Sequence, residues 1–200
     1  MTAPVRAEGP RPLTAQQIKD TAVEFFAAKG YHGTSLDGVA EELGVTRPAL
    51  YYYFSRKHDL LAAICDDLLD HLSAEVEEAS LSAADPVERL RAMIRAYVYC
   101  VATRPTYSAV VTREFTFLPA AEGRHVRQRR WAITEVFREA MDDAIASGAV
   151  TTVSARATVS LILGAANWVY RWFDPADGLS ADDLADFAAG MLLDGIAGSA

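Results

Sequence analysis

Between Thr34 and Lys57 the chain fits two helix starts, a glycine stop and two apolar stripes into two dozen residues, and few folds accept that pattern. Ser35 can cap a first helix whose Leu36, Val39, Ala40 and Leu43 recur at i, i+3, i+4 and i+7. Gly44 ends it, because glycine enters the left-handed C′ conformation without a Cβ penalty. Thr46 caps a second helix, and Pro48 falls in its first turn, where no N–H is needed. Leu50 and Phe54 point inward, one turn apart, and leave Arg47, Pro48, Ala49, Tyr51 and Tyr53 to face elsewhere. This is a helix-turn-helix with its reading helix second.

The wider stretch Gly30-Tyr31-His32-Gly33-Thr34-Ser35-Leu36, then Val39-Ala40, Leu43-Gly44-Val45-Thr46, Leu50-Tyr51-Tyr52-Tyr53-Phe54 and Lys57 to Leu60, strongly resembles the TetR family of one-component transcriptional regulators. Two departures are small: Arg56 stands where the family favours Ser or Asn, and His58 where it favours Glu. The resemblance carries roles onto matching positions. Arg47 becomes the candidate for base readout, since a guanidinium can pair bidentately with guanine. Pro48 and Ala49 would give apolar contact to thymine methyl groups, while Thr34, Tyr51, Tyr53 and Lys57 would hold phosphates. For Tyr51 a partly buried ring remains equally open; for Tyr52 a core or inter-helix place is expected.

A formal net charge of −8 looks wrong for a DNA binder until it is divided. Residues 1–57 carry seven Lys/Arg, among them all three lysines, against six acids, whereas the rest carries twelve Arg against twenty-one acids. A barely basic head on an acidic body would turn the body away from phosphates. No run of eighteen apolar residues and no signal peptide is found, so a cytoplasmic protein is expected. Cys65 and Cys100 lie on apolar helix faces and read as reduced, buried thiols.

Pro4, Pro10 and Pro12 make residues 1–13 a disordered arm, whose Arg6 and Arg11 read as solvated rather than as a minor-groove grip. A helix-turn-helix domain follows over 14–58, and a ligand-binding and dimerisation domain over 59–200. Thr14 caps helix 1, which presents Ile18, Ala22, Phe25 and Phe26 up to Gly30. Ser55 is expected to cap helix 4, with Leu61, Ile64, Leu68, Leu72 and Val76 as its stripe and Arg56 and Lys57 offering a phosphate site in its first turn. Asp85-Pro86-Val87-Glu88 starts helix 5, which runs to about Thr103; helix 6 covers about Thr106–Phe115 and helix 7 about Ala121–Ser147. With no alternating stretch, the fold class is all-α, about nine helices.

From about Ser154 to Phe173 the chain is apolar almost all round yet too short to span a membrane, so burial on both sides is expected. Ser180 caps the last helix, which carries two stripes: Leu184, Phe187, Ala188, Met191 and Leu192, and beside them Ala185, Ala189, Leu193 and Ile196. Two stripes need two partners, and one would face water in a monomer. A homodimer through the last two helices follows, as the resemblance also implies, and its DNA partner would be an inverted-repeat operator.

For a small-molecule effector the body offers Trp168, Arg171 and Trp172, because an arginine one turn from Trp168 in an apolar helix needs an acid or an anionic ligand. Asn167 is a second buried polar candidate, and Arg113, Phe117 and Trp131 extend the set. The basic run Arg124–Arg130 reads first as a solvated face of helix 7, and most of the aromatics read individually as core. The segment from Leu163 to Pro175 resembles a branch of the family that regulates lipid and steroid catabolism, which implies an acyl-CoA thioester as effector. A drug-efflux regulator and an all-α scaffold with a vestigial head are the alternatives. No cofactor is implied and no catalytic motif is present. The four histidines have no ligand spacing with cysteine or one another, which argues against a zinc site.

Overall fold

The computed structural model describes residues 13–194, and these form nine α-helices. They are α1 (Ala15–Gly33), α2 (Leu36–Glu42), α3 (Arg47–Tyr53), α4 (Lys57–Ser80), α5 (Pro86–Thr103), α6 (Pro105–Glu114), α7 (Ala120–Ala146), α8 (Ala155–Trp168) and α9 (Ala181–Asp194). The proposed arm residues 1–12, with Arg6 and Arg11, and Ile196 of the second terminal stripe lie outside the described residues.

Local chemistry sets most boundaries. Thr14 and Gln17 form a reciprocal capping box at the start of α1. That helix is interrupted at Gly30, whose φ of 67° turns the chain sharply into Tyr31 and His32. Ser35 accepts from the Gly38 N–H, Thr46 from Ala49, and Gly44 takes φ 65° between α2 and α3. Asp85 accepts from Val87 and Glu88, and Ser180 from Asp183. One expected cap differs. Arg56, not Ser55, precedes the first turn of α4, because the Ser55 hydroxyl and the Arg56 guanidinium both donate to the Asp59 carboxylate.

Ile18, Val39, Leu50 and Leu60 close the core of the head, all fully buried. In the body α5 is central: α4, α7, α8 and α9 all pack against it. Ile64, Leu68 and Leu72 of α4 share one continuous core with Leu90, Ile94 and Val98 of α5. α4 therefore carries the head at one end and a wall of the body along the rest. No helix of the described residues is long and apolar enough to cross a membrane.

Within the single chain the eighth helix is covered on one side only, and the burial expected on its other side would need the second copy. The helix ends at Trp168 and continues as a 3₁₀ turn over Val169–Arg171. Its inner side is Val159, Ile162, Leu163 and Ala166, while Leu161 is 75% exposed and Trp168 58% exposed. α9 behaves likewise: Leu184, Ala185, Ala188, Ala189 and Leu193 are buried, but Phe187 and Met191 stand in solvent.

Candidate DNA-reading surface and effector cavity

The reading helix α3 is short, and its orientation comes from Leu50, fully buried against the head, and from Phe54 at its end. Arg47 therefore projects outward, its side chain 71% exposed, with Pro48 beside it and Ala49 half-buried. One Arg47 nitrogen lies 3.2 Å from the Asp37 carboxylate, an exposed pair worth about 0–1 kcal/mol, so the guanidinium is easily released to another acceptor. The Tyr51 ring is exposed and its hydroxyl lies 3.5 Å from Asp37. Tyr53 donates to the Leu13 carbonyl at 2.6 Å and so ties the chain preceding α1 to the reading helix. Tyr52, expected inside, is instead 85% exposed, because it lies on the side of α3 opposite Leu50.

Two expected phosphate contacts are turned inward. Thr34 is buried and donates to the Gly30 carbonyl at 2.9 Å, which closes the bend after α1. Lys57 donates to the carbonyls of Tyr31 and Thr34 and sits 4.3 Å over the Tyr31 ring, where burial lowers its pKa. Both side chains hold the bend rather than offer free donors. Arg56 is exposed but bidentate on Asp59, and its hydrogen bond holds that carboxyl below the usual range.

In the body, α4 to α8 line a small cavity of about 100 Å³. Leu68, Leu72, Val101, Val111 and Leu163 make its apolar wall. Its polar groups are few and converge. The Tyr97 hydroxyl donates to Asn167 Oδ1 at 3.0 Å, and burial pushes the pKa of that phenol up. Ser108 is 4% exposed and its Oγ has no hydrogen-bond partner among the described residues. Arg130 lines the same space, stacks 5.1 Å over the Phe115 ring, and has no carboxylate within ion-pairing distance among the described residues. A buried hydroxyl without a partner costs about 1–3 kcal/mol, and a half-buried guanidinium without an acid is costlier still. Groups left in that state suit a ligand that carries acceptors.

Of the residues expected to bind an effector, only Asn167 lines this cavity. Arg113 is half-exposed next to Glu114. Phe117 stacks at 5.4 Å on Tyr31 and edge-on to His32, and so belongs to the contact between head and body. Trp131 lies on the outer side of α7. Trp168, Arg171 and Trp172 are exposed because the helix ends there, and Arg171 needs no acid in water; it rests 5.8 Å over the Trp168 ring. Arg130 and Ser108 were missed, although Arg130 falls on the apolar stripe of Val126, Ile133 and Phe137. Against expectation, the fold also brings His71, Glu75 and Cys100 together, with ligand atoms within 4.8 Å of one another.

The two halves match separate family models: residues 18–64 that of bacterial regulatory proteins, tetR family, and residues 83–196 that of the tetracyclin repressor-like C-terminal domain. The chain belongs to the TetR family. Its members are DNA-binding transcriptional regulators rather than enzymes, and here a helix-turn-helix head is joined to a ligand-binding body. Among TetR relatives, the transcriptional activator FasR of Mycolicibacterium smegmatis is 35% identical over 88 residues, 44% of this chain and 40% of that one. The transcriptional repressor KstR2 of the same organism is 23% identical over 187 residues, 90% of this chain and 89% of that one. The structure of AibR in complex with isovaleryl coenzyme A and operator DNA superposes with a TM-score of 0.79 at 28% identity, over 88% of this chain and 96% of that one.

Proposed function

We propose that this TetR regulator is a homodimeric repressor that grips an inverted-repeat operator through two copies of α3 and lets go when an acyl-CoA thioester enters the body. The observation that carries the reading is the cavity itself: an apolar wall for an acyl chain, with Arg130, Ser108 and the Asn167 amide available to acceptor oxygens. Because α4 forms part of that wall and bears the head, a ligand that favours one tilt of α4 biases the separation of the heads. It can do so only by its difference in affinity for the two forms. KstR2 is named a repressor, which supports that sign of regulation, and the AibR structure holds isovaleryl coenzyme A and operator DNA together, which supports a CoA thioester as effector and operator DNA as partner. Base contact is assigned to Arg47, Pro48 and Ala49, and backbone contact to Tyr51, Tyr52 and Tyr53.

The apolar outer faces of α8 and α9, with Leu161, Trp168, Phe187 and Met191 exposed, support a four-helix contact with a second copy. A guanidinium in the cavity wall disfavours cationic drug-like aromatics, which weighs against an efflux-pump regulator. The test is fluorescence anisotropy on DNA from upstream of the protein's own gene, with acyl-CoAs of graded chain length. Release of the DNA by a subset of them is expected. If none releases it and none raises the thermal midpoint, an acyl-CoA effector is ruled out.

A further inference from the structure

One cluster of metal-binding side chains has no part in the DNA surface and meets the acyl site only through Cys100. His71 and Glu75 stand one turn apart on α4, with Nε2 and Oε1 2.8 Å apart, and Cys100 reaches them from α5. The second carboxylate oxygen of Glu75 is buried and has no hydrogen-bond partner among the described residues. An i,i+4 His–Glu pair on a helix surface is ordinary, but here the carboxylate's remaining oxygen has been taken out of water and given nothing. Imidazole, carboxylate and thiol within 4.8 Å of one another form a donor set suited to a borderline-soft divalent ion.

We propose that His71, Glu75 and Cys100 form a binding site for a thiophilic divalent cation of the zinc class. On binding, the Cys100 Sγ–H bond breaks, its proton goes to solvent, and the thiolate sulfur bonds to the metal. Neutral His71 donates a ring nitrogen and Glu75 a carboxylate oxygen, so the two anionic ligands balance the charge of the ion. Without an ion, burial and the Glu75 charge push the Cys100 thiol up to about 12, with Arg104 acting the other way. A divalent cation beside the sulfur reverses that balance, since a coordinating thiol is deprotonated outright. Three protein ligands leave a fourth position for water. The site staples α4 to α5, so the metal would bear on the same helix that carries the head, and Cys100 also lines the effector cavity.

The test is a titration of the full-length, chelator-treated chain with cobalt(II), followed by displacement with zinc(II). A near-ultraviolet thiolate-to-cobalt charge-transfer band saturating at about one ion per chain is expected, by analogy with three-ligand protein sites. The band should vanish in Cys100→Ser, which keeps Cys65, and Glu75→Gln should weaken cobalt at least about tenfold with unchanged helical circular dichroism. Zinc should raise the thermal midpoint of wild type and leave that of Cys100→Ser unmoved. Absence of the band in wild type, its survival in Cys100→Ser, or unchanged affinity in Glu75→Gln would each overturn the site. None of these readouts depends on DNA or acyl-CoA.

Discussion

The backbone N–H of Tyr31 donates to Glu114 Oε2 at 2.9 Å, so a carboxylate from the body, itself only 6% exposed, holds the bend that follows the first helix of the head. Around that bond Phe117 stacks on Tyr31, and the Lys57 ammonium sits 4.3 Å from the centre of the same ring. Gly30 brings the chain there with a left-handed turn, and a Cβ at this position would lie 3.9 Å from the Glu114 carboxylate. Head and body are thus joined by α4 and by α6, which packs along α1, donates from Tyr107 to Asp20, and holds the bend before α2. Any tilt of α4 must be accommodated at this second link through α6.

Removing the acceptor tests that link. Glu114→Ala leaves the Tyr31 N–H buried without a partner, which costs about 1–3 kcal/mol. Urea unfolding should register that loss, while Glu114→Gln, which keeps an acceptor oxygen, should recover at least half of it. Equal destabilisation by both variants would mean that packing, not the hydrogen bond, carries the contact.

Arg47→Ala should leave stability within about 0.5 kcal/mol, since the side chain is exposed and its pair with Asp37 is weak. On the operator it should cost roughly 1–3 kcal/mol, about five- to a hundred-and-fiftyfold, and most of that against the cognate sequence. A uniform loss on all DNA sequences would reassign Arg47 from base to phosphate contact.

The head was legible because each of its turns is fixed by neighbouring residues: Ser35, Gly44 and Thr46 act within three positions of themselves. Its phosphate contacts were not. Whether the Lys57 ammonium meets solvent or the Tyr31 carbonyl depends on a bend twenty-six residues earlier. In the body the helices could be read from their stripes, but the effector residues were sought among the aromatics near Trp168, where the helix ends early. The more useful signal was a polar residue on a stripe. Arg130 breaks the Val126–Ile133–Phe137 series, and Ser108 sits one turn before Thr112, both of which line the cavity. The approach of Cys100 to His71 had no sequence signal, because it depends on how α5 is set along α4.

Ser108 should separate stability from ligand binding. Replacing it with alanine removes a buried hydroxyl that has no partner, so Ser108→Ala is expected to be neutral or to stabilise the free protein by up to about 1 kcal/mol. Effector affinity should fall in the same variant, by about 0.5–1.5 kcal/mol for one lost neutral hydrogen bond. Calorimetric titration beside denaturant unfolding measures both. A loss of stability would show that the hydroxyl is already satisfied in solution, for example by an internal water.

In the proposed dimer the outer face of α8 and α9 is what lets two heads act together. Phe187 is 63% exposed and Met191 57%, one turn apart, so Phe187→Glu removes apolar surface from the proposed contact without touching the core formed by Leu184, Ala188 and Leu193. Helical circular dichroism and the unfolding midpoint of the dilute monomer should be nearly unchanged. Sedimentation equilibrium should shift from two chains to one, since two glutamates would be buried against an apolar partner. With the second head no longer tethered, operator affinity should fall by about a hundredfold or more, the gain that linking two weak sites provides. A variant that stays dimeric at micromolar concentration would place the contact between copies elsewhere on the body.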